Sequence, residues 1–87
     1  MAIEINWVEI SSHVDAKING KHHVSAGEVE QACDQVVRAG WEQDNAGTWR
    51  VIGVGRTASD RRIAFFLYPI EGESGAWRLA TAYPEPR

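Results

Sequence analysis

The stretch "TWRVIGVGRTASDRRIAFFLYPI", residues 48–70, decides the fold. "TWRVIGVGR" is β-branched and aromatic, and "RRIAFFLYPI" is the most apolar run of the chain. Both read as strands, and the "TASD" between them is short enough for a hairpin. After "EGESG", residues 71–75, "GAWRLATAY" supplies a third strand. Strand alternation then gives each residue a side. Arg50, Ile52, Val54 and Arg56 share one face; Trp49, Val51, Gly53 and Gly55 share the other. The two glycines leave their face bare, so a helix or a ligand can approach closely. The same alternation puts Trp77, Leu79, Thr81 and Tyr83 together, opposite Arg78.

Upstream the period changes. Ser25 and Glu28 have the spacing of a capping box, in which each side chain bonds the other's backbone N–H. Val24 precedes the cap and is placed to pack on Val29. Val29, Ala32, Cys33, Val36 and Val37 follow at helical spacing, which predicts one helix running from Ser25 to a stop at Gly40. An earlier helix is expected between Val8 and Gly20, on the stripe Ile10, Val14 and Ile18. "IEINW", residues 3–7, reads as a short strand or an extended lead-in. "DNAG", residues 44–47, is turn chemistry, and the tail "PEPR" is expected to be irregular. The whole is a single α+β domain over residues 1–87: two N-terminal helices packed on a small antiparallel sheet.

The 87 residues carry a net charge of −3, with acid concentrated in the first half and arginine in residues 50–80. Overall charge therefore does not drive binding to nucleic acid, but one face of a small sheet can still be positive. No apolar run is long enough to span a bilayer. The acidic "MAIEINWVEI" does not read as a secretory signal, and a single cysteine permits no internal disulfide; a cytoplasmic location is expected. Cys33 lies on the apolar side of its helix and reads as core. The four tryptophans are expected mainly in the core, because so small a domain needs large side chains there.

His13, His22 and His23 have no spacing that suits zinc, so no metal and no other cofactor is expected. No phosphate-cradling glycine loop and no nucleophile elbow occurs. The strand ends offer Arg56, Arg62, Thr81 and Tyr83 as lining for a shallow groove. The plain alternative is that the arginines only solubilise the sheet and pair with the many glutamates.

The order of these features resembles the BrnT-type toxins of bacterial toxin–antitoxin systems, small relatives of the RelE-fold ribonucleases. "KINGKHHVS" followed by "GEVEQAC" is similar to that family's lysine-rich first helix, elbow and second helix. "VIGVGRT", "RRIAFFLY" and "WRLATAY" are similar to its three later strands. The resemblance implies a metal-independent endoribonuclease that binds mRNA on the open side of the sheet and is neutralised by an antitoxin protein. It points to Arg56, Arg62, His22 and Lys21 for catalysis; Tyr83 is a further catalytic candidate in proton transfer, and Arg50, Arg61 and Arg78 are the candidates for binding RNA. Three departures stand out. Tyr83 stands where an arginine is usual, the family's C-terminal helix has no counterpart within residues 1–87, and the chain is acidic where relatives are basic. The alternative is a domain that keeps the fold but binds a protein partner, or a second copy of itself, without cutting RNA.

Overall fold

A computed structural model describes residues 3–86. The chain runs β1 (Trp7–Glu9), α1 (Ser12–His22), α2 (Ala26–Asp34), β2 (Val36–Gln43), β3 (Trp49–Arg56), β4 (Arg62–Pro69) and β5 (Ala76–Pro84). Both helices come before the main run of strands, and the class is α+β as the patterns indicate. The sheet has five strands in the order β1-β5-β4-β3-β2. It is mixed and not wholly antiparallel, because β1 lies parallel to β5, with Val8 opposite Trp77.

Each helix is set by its caps. Ser11 opens α1 by accepting the Val14 N–H, a cap the apolar stripe does not reveal. The helix runs through Gly20 and ends at His23, whose φ of 56° is left-handed and lets its N–H reach the Asn19 and Ile18 carbonyls. Ser25 and Glu28 form both halves of the capping box of α2. Val24 and Val29, either side of that cap, are both fully buried.

The second helix stops at Asp34, six residues short of Gly40. Val36, Val37 and Gly40 belong to β2, which the apolar periodicity had placed in the helix. The cause lies in the hairpin. "DNAG" makes a tight turn in which Asp44 N–H bonds the Thr48 carbonyl and Gly47 N–H bonds the Asp44 carbonyl, with Gly47 at φ 83°. Such a turn needs a strand on both sides, so the chain before Asp44 is drawn into the sheet. β-Branched Val36 and Val37 suit that placement better than a helix.

The core lies between the helices and one face of the sheet. Ile18, Val24, Val29, Ala32 and Cys33 meet Val51, Ile63, Phe65, Leu67, Trp77, Leu79 and Ala82. Gly55 supplies the close approach its lack of side chain allows: a Cβ there would lie 1.8 Å from the Ala32 carbonyl oxygen. Of the four tryptophans only Trp77 is core; Trp7, Trp41 and Trp49 are exposed, contrary to expectation. Trp41 is the register partner of buried Val51 and its ring lies 5.6 Å from that of Trp77, so it borders the core while staying exposed.

A bulge redirects β5. Phe66 pairs with Thr81 while Leu67 pairs with Leu79, so Ala80 is an extra residue. The Lys17 ammonium donates to its carbonyl at 3.1 Å. Trp77 and Leu79 therefore face the helices, and after the bulge Ala82 does, while Thr81 and Tyr83 turn to the opposite side. Plain alternation had put all four of Trp77, Leu79, Thr81 and Tyr83 together. In the tail, Pro84 ends β5, Glu85 and Pro86 have no regular element, and Arg87 lies outside the described residues; Glu85 N–H still bonds the Arg62 carbonyl at 3.0 Å.

Candidate functional site

The helices cover one face of the sheet and leave the other open. Along β3 the open face carries Arg50, Ile52, Val54 and Arg56, and along β4 it carries Arg62, Ala64, Phe66 and Tyr68. Arg56 and Arg62 are register partners, directly opposite each other at one end of the two strands. They line a cleft of about 590 Å³ together with Asp60, Arg61, Pro84, Glu85 and Pro86.

Every arginine within the described residues has an acidic neighbour. Arg56 approaches Asp60 at 3.3 Å and Arg62 approaches Glu85 at 3.5 Å. Arg38 also bonds Glu85, whose side chain is only 17% exposed between the two arginines. Arg61 turns away from the open face toward the elbow, where it donates to the His23 carbonyl at 3.0 Å and to Glu28 at 2.9 Å. Burial acts to raise the Glu28 carboxyl, but the Ser25 N–H and the Arg61 guanidinium outweigh it and hold Glu28 below its ordinary value.

The other residues named from the sequence are spread over the molecule. Arg50 sits at the far end of β3, bonded to Glu42 at 2.7 Å and lying 4.6 Å over the Phe66 ring. Arg78 is next to Glu9 on the β1 side, at 4.0 Å. Tyr83 lies on the open face, with its ring 5.9 Å from that of Phe66 and 5.9 Å from that of His22. β1 borders only residues 76–78 of β5, so the rest of that edge is free for the end of α1, which carries His22. Lys21 is exposed beside it. The fold thus brings together Arg56 with Arg62, and His22 with Tyr83; Arg61 borders the Arg56–Arg62 cleft but spends its guanidinium on His23 and Glu28, while Arg50 and Arg78 stand apart.

No protein-family model matches the chain, and no curated protein matches it significantly. Among the described residues no three histidine, cysteine or carboxylate side chains converge as a metal site. No helix is long and apolar enough to cross a membrane.

Three participants in this face were missed in the sequence. Arg38 was hidden by its assignment to a helix. Glu85 was hidden in a tail expected to be irregular. Tyr68, which donates to Asp44 at 2.7 Å, was visible in the alternation Arg62, Ala64, Phe66, Tyr68. That hydrogen bond, first among several, holds the Asp44 carboxyl below its usual range, and the same bond raises the Tyr68 phenol.

Proposed function

We propose that this protein is a metal-independent endoribonuclease of the BrnT/RelE type, the toxin of a cytoplasmic toxin–antitoxin pair, acting on mRNA. The observation that carries the reading is the Arg56–Arg62 pair, two register partners over one cleft on the uncovered face of the sheet. Two guanidinium groups so placed can grip a phosphodiester and offset the charge that develops on it. In the reaction the RNA 2′-oxygen attacks phosphorus. The bond from phosphorus to the 5′-oxygen breaks, leaving a 2′,3′-cyclic phosphate and a 5′-hydroxyl. The 2′-hydroxyl proton passes to the His22 imidazole, and the leaving oxygen takes its proton from Tyr83 or Lys21.

A second reading has its own support. Glu85 already sits on Arg62 and Arg38, so a carboxylate occupies the side of the cleft that a phosphate needs. That arrangement favours a domain that keeps the fold and binds a protein partner without cutting RNA.

Purified chain is incubated with a defined mRNA in the presence of EDTA, and the products are read for cyclic phosphate ends. The toxin reading expects cleavage by the wild type and a loss of about a hundredfold or more in Arg56→Ala/Arg62→Ala. Intact RNA with folded wild type, together with unimpaired translation on expression, overturns it in favour of the second reading.

A further inference from the structure

β2 ends the sheet, its outer edge unpaired among the described residues, and it is eight residues long, whereas the strand at the opposite edge has three. An open edge of this length is a template for another strand. Of the five large apolar side chains exposed among the described residues, four, Val36, Val37, Trp41 and Trp49, lie on β2 or its hairpin partner.

The turn fixes which backbone groups are free. Asp44 and Thr48 form the bonded pair next to the turn. Bonded pairs alternate along an antiparallel ladder, so residues 42, 40 and 38 bond β3, and Ala39, Trp41 and Gln43 turn their N–H and C=O groups outward. Gly40 is unexplained within one chain. It lies in the middle of a strand, where glycine is unfavourable, and a Cβ there would meet nothing within 4 Å. Such a glycine commonly marks the approach of another backbone.

We propose that β2 pairs with β2 of a second copy, antiparallel about a two-fold axis through Gly40, joining the two sheets into one. In that register Ala39 and Trp41 of one chain exchange backbone bonds with Trp41 and Ala39 of the other. Arg38 faces Glu42 across the junction, twice. The partners are available: Arg38 uses Nη2 on Glu85, leaving Nε and Nη1 without partners among the described residues. Both bonds from Arg50 fall on Oε1 of Glu42, leaving Oε2 free among the same residues. A register shifted to centre on Trp41 would oppose Arg38 with Asp44 instead. Asp44 is already committed to the Ala46 and Thr48 N–H groups and the Tyr68 hydroxyl. The proposal is independent of the ribonuclease reading.

The test is sedimentation of the full chain across a concentration series, with a dissociation constant on the order of micromolar expected for so small a junction. Arg38→Glu and Glu42→Arg singly weaken dimerisation about tenfold or more, and the double reversal restores it. Ala39→Pro abolishes dimer while circular dichroism stays native, because the N–H it removes points away from β3. Gly40→Cys forms a disulfide-linked dimer on mild oxidation, since facing residues of a non-bonded pair have Cα atoms about 4.5 Å apart. A monomer at every concentration overturns the proposal. So does a dimer indifferent to Ala39→Pro, or one that cross-links through Trp41→Cys and not Gly40→Cys.

Discussion

At the scale of single residues, Gly55 shows how tightly helix and sheet are fitted. The clash that a methyl would make is with the backbone of α2, which cannot rotate away. Gly55→Ala should lower stability by about 3 kcal/mol, and the melting temperature by roughly 12 °C or more. Gly53→Ala meets the Phe65 ring, at 2.4 Å, which can tilt, so its loss should be smaller, about 1–2 kcal/mol. Gly20→Ala, in a helix interior with open space around it, should raise stability by up to about 1 kcal/mol. Thermal melts of the three variants check the order. Cys33 offers a second residue-scale prediction. Burial first, then Asp34 and Glu30, pushes its thiol up to about 12. Alkylation at pH 8 should therefore be at least about a hundredfold slower in the native protein than in urea.

At the scale of elements, the capping box was readable because its signal is local. Ser25 and Glu28 interact within one turn, whatever the rest of the chain does. Ser25→Ala should cost about 1 kcal/mol, and Glu28→Ala more, because it also releases Arg61; denaturant titration measures both. The end of α2 was not readable in the same way. Val29, Ala32 and Cys33 continue at helical spacing into Val36 and Val37, and no residue between them forbids a helix. What stops it is pairing with β3, a tertiary effect that overrides local pattern. The clue was the turn at 44–47, which required a strand before it as well as after. The face of Arg56 and Arg62 was legible from alternation, which holds through β3 and β4. The faces of β5 were not, since a bulge leaves no mark in composition. Arg38 and Glu85, brought together across 47 residues, had no sequence signal at all.

For the molecule as a whole, two carboxylates join distant parts. Glu28 links the elbow to the β3–β4 turn through Arg61, and Asp44 links the hairpin tip to β4 through Tyr68. Both titrate below their ordinary values of 4.5 and 3.8 in the folded chain. The unfolded chain thus takes up protons first as the solution is acidified. The stabilisation is complete above those ordinary values and is lost as pH falls through the lower, folded ones. Melting temperature should be level from neutrality to about pH 5 and fall below it. Glu28→Gln should start lower and lose less between about pH 5 and 3, which a pH series of thermal melts will show.

The extra residue at Ala80 has a consequence for how such a chain changes over generations. Removing that one codon would close the ladder without disturbing a pair: Leu79 would still face Leu67 and Thr81 would still face Phe66, now as neighbours in an unbroken alternation. The tyrosine would stay on the outside and the alanine before it on the inside. What would go is the local kink, and with it the carbonyl that takes the Lys17 ammonium. A one-residue deletion in the regular part of β4 has no such refuge, because it would turn over every side chain beyond it. The bulge is therefore the place in the sheet where the chain can change length while the chemistry offered by Tyr83 stays the same.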